Sequence, residues 1–150
     1  MGSEWEQVLK AVISEVLETM FFAVVDFEHS GPGDHTFDFE SEILLSSSEG
    51  KIVISLQVGE EFARMTTADF LGIGQDQVKE DDIEDTMKEL ANMIGGLYHA
   101  GIDDFKWELG IPRVWKIDQG VSDRSESFAG LNFSFFGQPA GSVRLVRLQA

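Results

Sequence analysis

Glu89 and Asn92 stand three residues apart in the run Asp85-Thr86-Met87-Lys88-Glu89-Leu90-Ala91-Asn92-Met93-Ile94-Gly95-Gly96. An α-helix advances about 100° per residue, so Asp85, Glu89, Asn92 and Gly96 fall within one narrow stripe. Ile83, Met87, Leu90, Ala91, Ile94, Leu97 and Tyr98 fall on the opposite face, which predicts a buried side. The stripe then offers a carboxylate, a carboxamide one turn away, and a residue with no side chain beside them. It is either solvated surface or a tool held out toward a partner. Asn in a helix interior costs several tenths of a kcal/mol relative to Ala, and each Gly roughly 1 kcal/mol. A helix carrying all three tolerates a local destabilisation. Close approach of a partner would account for Gly96, and close packing on a sheet would account for Gly95 equally well.

Other chemistry finds little support. His29, His35 and His99 are spread along the chain with no HxxxH or HExxH spacing, so no His-based metal site is expected. Gly72-Ile73-Gly74 follows a helix rather than a strand and lacks the spacing of a nucleotide loop. Glu80-Asp81-Asp82 and Asp103-Asp104 lack the spacing of a calcium loop and read as helix capping and solvated surface. No G-x-S-x-G elbow occurs, and with no Cys there is no thiol nucleophile or thiolate metal site. The formal charge is −16, with only eleven basic residues, which argues against binding nucleic acid or an anionic membrane surface. A protein partner with a basic surface is the natural complement. No apolar run is long enough to span a bilayer, and Met1-Gly2-Ser3-Glu4-Trp5-Glu6 lacks the pattern of a signal peptide. With the absence of Cys, these features predict a cytoplasmic protein.

The elements that must position the stripe follow from periodicity. Val8, Leu9, Val12, Ile13, Val16, Leu17 and Met20 predict a helix from about Glu4 to Phe22. A short strand is expected over Val24 to His29, then a turn at Ser30-Gly31-Pro32-Gly33-Asp34. His35 to Ser46 alternates, with Phe37, Phe39, Ser41 and Ile43 on one face and Asp38, Glu40 and Glu42 on the other. After a turn at Ser47-Ser48-Glu49-Gly50, Lys51 to Val58 alternates with Ile52, Ile54, Leu56 and Val58 inward. Glu60 to Leu71 reads as a helix stopped by Gly72. Lys79-Glu80-Asp81-Asp82 opens the long helix, with Asp81 or Asp82 as its cap, and Gly101 ends it. Val114 to Asp118, Phe128 to Phe136 and Ser142 to Gln149 predict three further strands. The expectation is an α+β fold. It has a mainly antiparallel sheet, long helices packed on one side, and a pseudo-twofold repeat of helix plus three strands. The 150 residues fit one domain spanning 1–150.

The segment Asp85-x-x-x-Glu89-x-x-Asn92, placed on the second long helix between two strand sets, resembles the signature of the CheC/CheX/FliY family of chemotaxis phosphatases. The run Glu89-Leu90-Ala91-Asn92-Met93-Ile94-Gly95-Gly96 and the stretch Val16-Leu17-Glu18-Thr19-Met20-Phe21 most resemble its CheX branch. The resemblance implies an enzyme that dephosphorylates the aspartyl phosphate of a CheY-type response-regulator receiver domain. Glu89 would pair with the receiver's active-site lysine, and Asn92 would orient the attacking water. Asp85 and Gly96 would belong to the contact surface. The chain itself would bind no cofactor, since the Mg²⁺ belongs to the receiver. The chemistry suits the residues: a carboxamide offers both acceptor and donors and can hold a water without becoming a covalent nucleophile. A carboxylate beside a lysine makes a charge-assisted contact that fixes register.

Some family members carry two motifs. Here the first helix has Glu15 and Glu18, with no Asn where Asn92 falls in the second, so one site per chain is expected. Pro112 is the only candidate for the family's downstream proline. The branch implies a homodimer, for which the final strand, Ser142 to Gln149, offers an edge. Two other readings keep the same residues. One is a non-catalytic receiver-binding adaptor in a signalling or motility complex, which would bind without accelerating phosphate loss. The other is a sheet-based structural subunit, which would bury Asn92 against its own backbone.

Overall fold

The computed structural model describes residues 3–29, 37–101, 107–117 and 127–148. The chain opens with helix α1 (Ser3–Met20), whose Leu9, Val12, Ile13, Val16 and Leu17 are buried. The helix stops two residues before the expected Phe22, and Met20 is exposed rather than in the core. Phe22 takes a left-handed backbone (φ 57°), and the Leu17 carbonyl accepts from the N–H groups of both Phe21 (3.2 Å) and Ala23 (2.9 Å). That closes the helix end, leaving the following strand β1 (Asp26–His29) shorter than the sequence suggests.

Two long strands follow, β2 (Phe39–Ser47) and β3 (Gly50–Val58). Helix α2 (Glu60–Leu71) starts and stops where the residues predict, ending at Gly72 with φ 70°. Its first N–H group is capped from outside: Glu60 N–H donates to the Asp38 carboxylate at 2.7 Å. A 3-10 turn (Gln75–Gln77) leads into α3 (Glu80–Gly101). Of the two acids offered as its cap, Asp82 is the one used, accepting from the Lys79 N–H at 3.0 Å. Arg64 ties α2 to this start by donating to the Val78 carbonyl at 2.8 Å. The strands β4 (Glu108–Leu109), β5 (Arg113–Lys116), β6 (Ser127–Phe135) and β7 (Gln138–Leu148) complete the fold. Strand β4 has no counterpart in the sequence reading. The turn at Ser30-Gly31-Pro32-Gly33-Asp34, His35 and the Asp103-Asp104 pair lie outside the described residues, as do Asp118 and Gln149.

All strand pairings are antiparallel, in the order β1-β6-β7-β3-β2-β4, with β5 also on β2. Exchange β1 with β5, β2 with β6 and β3 with β7, and this order reads the same from the other end. The repeat expected from the sequence is therefore a pseudo-twofold running between β3 and β7. The fold is α+β, with Ile43, Leu45, Ile52, Ile54, Leu56, Val58, Leu131, Phe133, Val143 and Leu145 forming one apolar layer with the helices. Among the described residues no helix is long and apolar enough to cross a membrane.

One expectation is overturned. The final strand is not an edge: β7 lies between β6 and β3. The alternation of Arg144 and Arg147 with apolar neighbours suggests a half-exposed strand. Ala140 to Val143, Leu145 and Val146 are nevertheless all buried, as suits a central strand. The edges belong to β1 on one side and to β4 and β5 on the other.

The polar face of β2 is also less wet than its residues suggest. Glu40 is 0% exposed. Its carboxylate accepts from Ser55 Oγ (2.8 Å) and Gln57 Nε2 (3.2 Å), both on the neighbouring β3. A buried carboxylate left short of a donor keeps its desolvation cost, so Ser55→Ala is expected to destabilise the protein by about 1–3 kcal/mol, read from urea unfolding. Tyr98 is fully buried against Trp5 (ring centroids 6.1 Å apart), its hydroxyl has no partner among the described residues, and burial pushes its phenol upward. The unfolded chain ionises near pH 10 while the fold holds the proton, so stability is full below that pH and falls as pH rises above it. Unfolding measured through this alkaline range should lose that part of its pH dependence in Tyr98→Phe.

Candidate functional site: the exposed stripe of α3

Helix α3 rests on the sheet through Ile83, Met87, Leu90, Ala91, Ile94 and Tyr98, all buried as the periodicity predicts. Leu97 is the exception. It stands at the margin of the buried arc and is 39% exposed. Two residues not counted in the core face, Thr86 and Gly95, are buried. Gly95 sets how close the helix lies. A Cβ there would stand 2.7 Å from Ile43 Cγ2 on β2 and 3.1 Å from Leu109 Cδ1 on β4. Gly96, next along, faces away, and a Cβ there would meet nothing within 4 Å. The two glycines thus have different causes: the first is required by packing within this chain, the second is not.

On the opposite side Asp85, Glu89 and Asn92 are exposed and Gly96 is half-buried. The structure brings all four together on one outward stripe. Among the described residues, none of the three side chains is held by a hydrogen bond or an ion pair. Glu89 and Asn92 are separated by about 4.5 Å of rise and lie side by side on the helix surface. Asn92 is not buried against its own backbone, which was the arrangement a purely structural subunit would need. The surroundings are acidic: Glu80, Asp81, Asp82, Glu84, Asp85 and Glu89 sit on this helix against Lys88 alone. The stripe carries an anion, a neutral donor and acceptor, and open backbone, on a rigid element.

The flank of α3 comes from residues 107–116, of which the sequence predicts a strand only from Val114 onward. Trp107 places its carbonyl 2.6 Å from His99 Nε2, which therefore acts as the donor. Leu109 touches the Gly95 position, and Lys116 Nζ lies 3.4 Å from Glu80. Residues 107–116 accordingly flank the helix in the opposite direction, from the level of His99 to that of Glu80. In the sequence only the strand from Val114 announces this flank; Gly110 and Pro112 before it read as a break. His99 itself is half-buried and engaged, not a free surface histidine. Among the described residues no group of three or more His, Asp or Glu could hold a metal ion.

The fold matches the crystal structure of a chemotaxis protein CheX from Vibrio vulnificus with a TM-score of 0.79 and 17% identity, covering 97% of this chain and 99% of that one. It matches a CheX from Desulfovibrio desulfuricans with a TM-score of 0.77 and 17% identity, over 97% and 99% of the two chains. A third match is the CheX of a CheX–CheY–BeF3–Mg²⁺ complex from Borrelia burgdorferi, with a TM-score of 0.79 and 14% identity over 97% and 98%. A search of curated protein sequences finds no match. The model for the family described as chemotaxis phosphatase CheX matches residues 23–136, most of the chain and all of the α3 stripe, and the protein belongs to the CheX family.

Proposed function

We propose that this chain dephosphorylates the aspartyl phosphate of a CheY-type receiver domain, and that Glu89 and Asn92 carry the activity. The observation that supports this reading most is that both side chains stand outward on one stripe with no partner among the described residues. Membership of the CheX family and the Borrelia burgdorferi CheX solved with CheY support the choice of partner.

In the reaction, Glu89 pairs with the receiver's lysine and so sets the register of the two proteins. Asn92 enters the receiver's site and holds a water in line with the P–O bond to the aspartyl group. Water oxygen bonds to phosphorus, that P–O bond breaks, and the aspartate leaves as a free carboxylate. The water's proton departs with the inorganic phosphate. An acyl phosphate is already reactive, so positioning one water supplies much of the acceleration. A Mg²⁺ held by the receiver would neutralise charge on the phosphoryl oxygens, and this chain would contribute the acid and the amide alone. Asp85 and Gly96 complete the contact surface. The setting proposed is a cytoplasmic one, in which this single domain acts as a homodimer.

With a phosphorylated receiver, the wild-type protein is expected to accelerate phosphate release. Asn92→Ala should lower that rate by about a hundredfold or more without changing Tm. Full activity in Asn92→Ala would refute the assignment. Binding of the receiver with no acceleration by the wild type would point instead to an adaptor. Gly96→Ala separates fold from contact. It should stabilise the helix by about 1 kcal/mol in urea unfolding, yet raise KM for the receiver. An unchanged KM would place Gly96 outside the contact.

A further inference from the structure

The pairing of β2 with its edge partners contains an irregularity. Leu45 faces Leu109, and Glu42 faces Arg113. Between these pairs β2 has two residues, Ile43 and Leu44, while the opposite segment has three, Gly110, Ile111 and Pro112. Gly110 is accounted for, since its N–H donates to the Leu44 carbonyl at 2.7 Å. Ile111 and Pro112 therefore both stand opposite Ile43, a bulge on the edge strand. Proline, with no N–H to donate, is tolerated there. Ile111 is 84% exposed. An edge usually carries charge or polar groups, and the fold gains nothing from a bare Ile.

The bulge lies beside the stripe. Ile43, which it faces, is the residue against which Gly95 packs. Leu109 marks the level of Gly95 and Lys116 that of Glu80. Between these marks α3 rises about 22 Å and the extended segment advances about 23 Å, so the two run in step. Ile111, about 7 Å beyond Leu109, comes level with Leu90 and Ala91, between the levels of Asn92 and Lys88. Asn92 and Lys88 are exposed helix residues on that flank, three and seven positions from Gly95.

We infer that Ile111 is an apolar contact for the receiver domain, seated beside Asn92 and buried only when the two proteins dock. This rests on the phosphatase reading for the identity of the partner. The occupant follows from continuity with the stripe and from charge: Asp85 and Glu89 demand a basic surface, and Ile111 demands an apolar spot next to it. A receiver presenting its lysine to Glu89 covers Ile111 in the same approach. The contact forms equally in ground and transition states, so it acts on binding and leaves the chemical step alone.

The experiment uses the full chain with a phosphorylated receiver for turnover and a beryllofluoride-loaded receiver for binding. Ile111→Ser should raise KM and Kd by about tenfold, with kcat and Tm near wild type. Ile111→Met, which keeps the apolar contact, should restore both constants. Asn92→Ala should do the reverse, lowering kcat while Kd holds, so the two proposals fail separately. If the wild type binds without accelerating release, the phosphatase reading falls, and a weakened Kd in Ile111→Ser still upholds the contact. Wild-type Kd in Ile111→Ser overturns it. So does equal weakening by Ser and Met, and a wild type that binds no receiver overturns both.

Discussion

Everything that faces outward on α3 depends on the missing side chain at position 95. Two side chains from two different strands, Ile43 on β2 and Leu109 on β4, close on that position from the sheet side. A helix that could not approach this closely would ride higher and could turn about its axis. With Gly95 seated, the rotation is set, and residues one turn away along the helix inherit fixed directions. Asn92 and Gly96 are placed by Gly95 in this sense, although neither touches the sheet. The glycine weakens the isolated helix by roughly 1 kcal/mol relative to alanine. The close packing it permits, over side chains such as Met87, Leu90 and Ile94 that are almost fully buried, is what offsets that loss.

The sheet is close to twofold in its strand order, yet the helices laid on it are not equivalent. Helix α1 presents Glu15 and Glu18 to solvent where α3 presents Glu89 and Asn92. Two acids can meet a basic surface, but they lack a neutral amide that both donates and accepts. The added helix α2 breaks the symmetry further. It follows β3, takes its cap from Asp38 and is tied by Arg64 to the start of α3. The half that carries the stripe is thus the half with extra bracing at the helix entrance. On the proposed reading, one half carries the chemistry and the other is free to be scaffold.

How much of this could be read from residue order varies with how local the cause is. Helix α2 has the bounds its sequence predicts because the acids at its start and Gly72 at its end act within one turn of themselves. The polar stripe of α3 was legible for the same reason, through a single helical period. Strand β7 was misplaced because its position depends on what pairs with it, and Arg144 and Arg147 mimic the pattern of a half-solvated strand. Glu40 looked like a solvent-facing acid, since nothing nearby in sequence announces Ser55 and Gln57 as its donors. The wall beside α3 was the least legible part. Its two-residue strand and its bulge exist only through pairing with β2, and the exposure of Ile111 is a consequence of that pairing.

An acid and an amide on a convex helix face cannot by themselves exclude water or surround a substrate. Chemistry at such a place requires the concave half, with its metal and its phosphoryl group, to come from another protein. On the proposed reading the division is then strict: the receiver supplies reactivity, and this chain supplies position. That explains why the exposed residues need no cavity of their own. It also sets what the surroundings must do, which is to hold the receiver in place while the chemistry runs. The acidic part of the rim, Asp85 and Glu89, attracts a basic surface but has no apolar area to bury. An exposed apolar side chain beside the stripe does, so on the proposed reading Ile111 adds to binding and leaves the chemical step to Glu89 and Asn92.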